Sequence, residues 1–177
     1  MTDREVLARA SKVRMIVLDV DGVMTDGRVY YSDEGAMFKA FDIRDGFGIV
    51  LARRAGIEFA IITGQRSRLV EHRAAQLGIE ELHQGFMNKA DILSDILLRH
   101  HLEPQQAAFM GDDLFDLTAL CRVGLSAAPR DAHEEVKAGV HWVSRFTGGR
   151  GAVRELIELV MKARGIWDRA LAEFDRI

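Results

Sequence analysis

Short apolar runs alternate with longer amphipathic stretches along this chain. Met15–Leu18 (MIVL) stops at Asp19, residues 59–62 (FAII) stop at Thr63-Gly64, and Ala107–Met110 (AAFM) stops at Gly111-Asp112. Apolar runs of this length, ended by a polar residue, read as strands buried on both faces. Residues 123–125 are a fourth candidate strand and residues 140–143 a fifth. Between them, residues 44–55, 67–77, 88–101 and 113–121 place apolar side chains three and four apart, the helical spacing. Residues 3–12 predict a short amphipathic helix. Ala152–Ala163 sets Val153, Leu156, Ile157, Val160 and Met161 on one stripe, and a tail helix after Gly165 sets Trp167, Leu171 and Phe174 along one side. The rhythm predicts an α/β fold: an open, mostly parallel sheet with helices on both faces.

Residues 28–41 (RVYYSDEGAMFKAF) break the rhythm with two β-prone runs around Ser32-Asp33-Glu34-Gly35, a hairpin signature. It follows the first strand's polar end, so it should rise over that edge of the sheet as a flap. No repeat, low-complexity segment or linker divides the chain, so residues 1–177 are expected to form one domain, with a tail at about 165–177.

Composition narrows the function. With 48% hydrophobic residues and a net charge of −3, the chain can bury a core and is not a disordered protein. Its 24 Lys+Arg against 27 Asp+Glu give no nucleic-acid footprint. No apolar run is long enough to span a membrane, and the start (MTDREVLARASK) is charged where a signal peptide is apolar. A single cysteine, Cys121, forms no internal disulfide, so a reducing, cytoplasmic setting is expected.

Ligands of open parallel sheets bind outside the carboxyl ends of the strands. Here acids recur at those ends, as Asp19-Val20-Asp21-Gly22 and as Gly111-Asp112-Asp113-Leu114-Phe115-Asp116. If the strands are neighbours, Asp19, Asp21 and Asp112 converge. Crowded carboxylates with no His or Cys beside them call for a hard divalent cation, Mg²⁺. Lys89 would add a positive charge, and Thr63-Gly64 a hydroxyl and an amide. Together these groups suit a phosphoryl group.

The set Asp19-x-Asp21-Gly22-Val23-x-Thr25-Asp26, Thr63-Gly64, Lys89 and Gly111-Asp112-Asp113-x-x-Asp116 resembles the four ordered motifs of the haloacid dehalogenase superfamily. The hairpin, the segment Phe41-Asp42-Ile43-Arg44-Asp45-Gly46 and the late Gly148-Gly149-Arg150-Gly151-Ala152-Val153-Arg154-Glu155 resemble its capless 3-deoxy-D-manno-octulosonate 8-phosphate (Kdo 8-phosphate) phosphatase branch. That resemblance implies a three-layer Rossmann-like fold without a cap domain. It implies Asp19 as nucleophile, Asp21 as general acid and base, and Mg²⁺ held by Asp19, the Asp21 backbone and Asp112. Asp113 and Asp116 would orient Lys89 or metal-bound water, and Thr63, Gly64 and Lys89 would hold the phosphoryl oxygens. Arg44, Arg66 and Arg150 would contact the sugar acid. It further implies a homotetramer in which hairpin and tail approach a neighbour's site, with Tyr30, Tyr31 and Phe38 at the contact. Where the branch often has arginine after Thr-Gly, this chain has Gln65, with Arg66 and Arg68 nearby. An acylneuraminate 9-phosphate is therefore the alternative substrate.

Other readings compete. Counting a calcium loop from Asp19 puts Met24 where the sixth position needs glycine. Asp112 could cap a helix, Lys89 could be a surface residue, and Arg44-Asp45-Gly46 could simply start a helix. Arg150, in a glycine-rich loop before a helix, has a natural anion site or a flexible joint. The six histidines show no metal spacing, and Met24, Met37, Met87, Met110 and Cys121 are expected to pack. A non-catalytic binding protein on this fold would have lost an acid or the lysine. A mutase would need a helical cap, and a receiver domain would need Asp where Thr63 stands.

Overall fold

The structure, a computed structural model, describes residues 2–35 and 37–173. Six parallel strands form the sheet: β1 (Met15–Leu18), β4 (Glu58–Thr63), β5 (Glu81–Gln84), β6 (Ala107–Met110), β7 (Leu125–Ala128) and β8 (Trp142–Val143). Their order is β5-β4-β1-β6-β7-β8. The chain runs outward from β1 through β4 to β5, then crosses back to β6 and continues the other way. The order therefore reverses between β1 and β6, and such a switch point opens a crevice at the strands' carboxyl ends.

Alternation along β1 divides the core. Ile16 and Leu18 face one side, among side chains of α1 (Asp3–Ala10), α2 (Ile43–Arg54), α3 (Arg68–Leu77) and α7 (Ala152–Ala163). Met15 and Val17 face the other, among those of α4 (Lys89–Arg99), α5 (Leu117–Leu120) and α6 (Glu134–Gly139). Every residue of β1 and β6 is buried, which requires helices on both faces. The hairpin forms a separate antiparallel pair, β2 (Tyr30–Tyr31) and β3 (Met37–Phe38). Among the described residues no helix is long and apolar enough to cross a membrane.

Several expectations shift. The strand expected at 123–125 begins at Leu125 and runs to Ala128. The helix expected over 113–121 is a 3₁₀ turn, Leu114–Asp116, followed by one α turn. Cys121 is exposed rather than packed, because it caps that short helix on its outer side. Met87 is exposed too, and its sulfur lies against Gly64 rather than in the core. In the tail, α8 (Trp167–Ala172) packs Trp167 on the core and leaves Leu171 exposed; Phe174 lies outside the described residues.

β5 and α6 carried no apolar signature. β5 reads Glu-Leu-His-Gln because it is an edge strand held by charge. His100, at the end of α4, turns Nδ1 to the Glu58 carboxylate and sets Nε2 3.0 Å from Glu81 Oε1. Two carboxylate partners favour the form in which both ring nitrogens donate. Burial works against its charge, but hydrogen bonds to Glu81 and Glu58 outweigh burial and raise its pKa. A raised folded pKa adds stability below about pH 6.5, the ordinary His value, that is lost as pH rises through the folded value. Denaturation midpoints of the native chain should therefore fall as pH rises above about 6.5, and His100→Gln should flatten that slope.

Candidate active site

The strand register fixes the site's geometry. Leu18 pairs with Ile61 on one side and Met110 on the other, so Asp19, Thr63 and Asp112 leave the sheet within one or two residues of the same edge. The Asp19 amide donates to the Met110 carbonyl at 3.0 Å, extending the ladder into the loop after β1. Asp19 and Lys89 are buried. Lys89 is the first residue of α4, and its Nζ lies 2.6 Å from Asp19 Oδ1 and 2.6 Å from Asp116 Oδ1. The Phe115 ring lies 4.7 Å from the same ammonium. Asp116 Oδ2 accepts the amides of Asp112 at 2.9 Å and Asp113 at 3.2 Å, which curls this loop into its 3₁₀ turn.

Asp19, Asp112 and Asp116 each bring a carboxylate oxygen within 4.8 Å of the others. Asp19 Oδ2 and Asp112 Oδ1 are buried without a hydrogen-bond partner. Buried carboxylate oxygens without partners, in a cluster this tight, are costly unless a cation joins them, so these residues fit a hard divalent ion. Burial, then the Asp19, Asp116 and Asp113 charges, pushes Asp112 up to about 8. Burial also pushes Asp19 up, against the attraction of Lys89. The 2.6 Å ion pair and the upward shift do not conflict, because desolvation of the Asp19 carboxylate exceeds what one ammonium returns.

Close backbone approach shapes the loop. Gly22, at φ +86°, passes so near Asp112 that an added Cβ would stand 2.0 Å from its Oδ2. Gly148 lies over the same turn, where a Cβ would stand 1.8 Å from the Gly22 carbonyl oxygen. The glycine-rich segment thus braces the loop after β1, and the Gly149 amide donates to the Val23 carbonyl at 2.9 Å.

The remaining expected site residues divide. Thr63 is buried at the end of β4, and Gly64 follows it beneath Met87. Asp21 does not join the carboxylate cluster through its side chain; it pairs with Lys39, which the sequence reading missed. The available signal was Lys39's place on the hairpin's returning arm. Asp113 does not reach Lys89; it caps the 3₁₀ turn by accepting the Leu114 amide at 2.7 Å. The anion position at the start of α7 is filled from within the chain. Asp45 accepts the amides of Gly151 at 3.3 Å and Arg154 at 2.8 Å, and burial pushes its pKa up to about 6. Arg150 and Arg44 instead line an open cleft of about 320 Å³ with Asp26, Phe41, Asp42 and Gly149. Arg44 is paired with Asp42 there at 2.9 Å. Arg66 is exposed and lies over Gly85.

Comparison with known proteins agrees with this geometry. A haloacid dehalogenase-like hydrolase family model matches residues 75–156. A 3-deoxy-D-manno-octulosonate 8-phosphate phosphatase of Escherichia coli K12 is 46% identical over 166 residues, 94% of this chain and 88% of that protein. This chain belongs to that phosphatase family of the haloacid dehalogenase superfamily. Among solved structures, a Yersinia pestis phosphatase of the same name superposes with a TM-score of 0.91 at 43% identity, covering 93% of this chain and 89% of that one. A Moraxella catarrhalis phosphatase of the family, solved with magnesium, phosphate and Kdo, superposes with a TM-score of 0.95 at 36% identity, covering 98% and 99%.

For this family member, Mg²⁺ binding at neutral pH must displace the proton that burial and neighbouring acids favour on Asp112. Calorimetry in buffers of different ionisation enthalpy should show proton release on Mg²⁺ binding, and the affinity should rise between pH 6 and pH 8. Gly22→Ala should weaken Mg²⁺ by at least about tenfold, the scale of disturbing a ligand's supporting shell.

Proposed function

We propose that this chain is a one-domain, Mg²⁺-dependent phosphatase that releases Kdo and phosphate from Kdo 8-phosphate through an aspartyl-phosphate on Asp19. The observation that carries this is the unpartnered Asp19 Oδ2, buried beside Asp112 Oδ1, while Asp19 Oδ1 is anchored by Lys89. A carboxylate held in place by a buried ammonium is a preorganised nucleophile. One oxygen of the Asp19 carboxylate forms a bond to phosphorus as the bond to the sugar oxygen breaks. Asp21 gives its proton to that oxygen, then takes one from the water that attacks the aspartyl-phosphate, so the enzyme returns to its starting state. The Asp21 side chain is spared for this because it lies outside the carboxylate cluster. Asp19, the Asp21 carbonyl and Asp112 would hold Mg²⁺, which supplies charge neutralisation for the phosphoryl oxygens. Lys89, the Thr63 hydroxyl and the Gly64 amide would hold the phosphoryl oxygens, and Asp116 keeps Lys89 in place.

The relatives' names support Kdo 8-phosphate as substrate. Gln65 supports a second reading, an acylneuraminate 9-phosphate. It is neutral, accepts from Lys39 at 3.4 Å, and cannot grip a substrate carboxylate as arginine does. Arg44 and Arg150, in their open cleft, are the arginines we assign to the sugar acid, with Arg66 beside Gln65 as a third. Exposed Tyr30, Tyr31 and Phe38 support a homotetramer in which each hairpin covers a neighbour's site. The exposed thiol of Cys121 fits a reducing cytoplasm.

Asp19→Asn should keep the fold and lose phosphate release by at least about 10⁴-fold, as removal of a nucleophile does. Native turnover of Kdo 8-phosphate should exceed that of N-acetylneuraminate 9-phosphate in kcat/KM; the reverse order would reassign the substrate. Light scattering at micromolar concentration should return four chains, and a monomer would contradict the shared-site assembly.

A further inference from the structure

The two acids of the catalytic loop, Asp19 and Asp21, are held by two different lysines. Lys89 reaches Asp19 from α4, inside the scaffold. Lys39 reaches Asp21 from the residue after β3, on the arm that returns the hairpin to the body. The Lys39 side chain is fully buried, while that of Asp21 keeps 23% exposure. The same ammonium donates to Gln65 Oε1 at 3.4 Å, on the loop after β4. The flap, the catalytic loop and the rim of the substrate site therefore meet at one nitrogen. A buried lysine head is desolvated and its four-carbon stem loses rotamer freedom. Two acceptors from two loops fix where it stands.

We propose that Lys39 is a positioning residue. By engaging Asp21 Oδ1, the flap fixes the Asp21 carboxyl so that Oδ2 meets the leaving oxygen and, later, the attacking water. Flap placement and acid–base readiness are then a single event in a phosphatase without a cap. The arrangement assigns separate duties to the lysines: Lys89 sets the nucleophile, and Lys39 sets the acid. This inference rests on the phosphatase reading above.

The test compares native chain, Lys39→Met and Lys39→Arg on Kdo 8-phosphate, with p-nitrophenyl phosphate as a second substrate. Nitrophenolate leaves without a proton, whereas a sugar alkoxide does not. Lys39→Met should lower kcat on the sugar phosphate by about 10²-fold, the scale of losing general acid–base catalysis, with KM within about threefold. Its first-turnover burst of nitrophenolate should stay within about threefold of native, and its melting temperature and Mg²⁺ affinity should not move. Lys39→Arg, which keeps the charge and donors, should recover at least about a tenth of native kcat. A raised KM at unchanged kcat, an equal loss in the first turnover on both substrates, no rescue by Lys39→Arg, or no loss at all would overturn the proposal. A native chain inactive on both Kdo 8-phosphate and N-acetylneuraminate 9-phosphate would instead overturn the phosphatase reading.

Discussion

Lys89 has no exposed surface, and its ammonium stands 2.6 Å from one oxygen of Asp19 and 2.6 Å from one of Asp116. Removing an ammonium from water costs several kcal/mol even after relaxation, so it stays charged only where partners surround it. This sets the rest of the site. Asp116 must fold back toward α4, so its loop becomes a 3₁₀ turn whose amides bind its second oxygen. Asp19 must present one oxygen to the lysine, which leaves the other bare. The acid loop, Asp19 and the start of α4 are thereby locked to the switch point of the sheet.

The charge balance explains the metal. Asp19, Asp112 and Asp116 bring three negative charges into a small volume, and Lys89 brings one positive. The remaining two negative charges match one divalent cation. Without it, burial and mutual repulsion push the Asp112 and Asp19 carboxyls toward their neutral forms. The same balance accounts for the glycines. Gly22 lets the loop after β1 pass against Asp112, and Gly148 lets a second loop lie on Gly22, at separations that no Cβ permits. The two loops thereby form one closely packed floor, and the hairpin's returning arm meets it at Lys39.

The parts of this design that depend on local apolar pattern were legible in the sequence. The strands β1, β4 and β6 end where their polar residues begin, and the motif order then placed Asp19, Thr63, Lys89 and Asp112 at one edge. What escaped was set by partners distant in the chain. β5 has no apolar signature because its edge is tied by Glu81 to His83, Arg99 and His100. Asp45 looked like the start of a helix, yet its carboxylate fills the anion position of α7 more than a hundred residues away, with a separation of 106 from Gly151. Lys39 carried no motif, because its role comes from where the hairpin folds back. Asp113 sat in the right motif but spends its carboxylate on its own turn.

The central claim is that Asp19 carries the phosphoryl group. Its most direct test is to mix the native chain with Mg²⁺ and Kdo 8-phosphate, quench within milliseconds, reduce with borohydride and map the product by peptide mass spectrometry. An acyl phosphate on Asp19 is reduced to an alcohol, so the peptide spanning Met15–Leu18 and Asp19 should lose the mass difference between carboxyl and hydroxymethyl at that residue. An unmodified Asp19 during turnover, or the modification on Asp112 or Asp116 instead, would contradict the account.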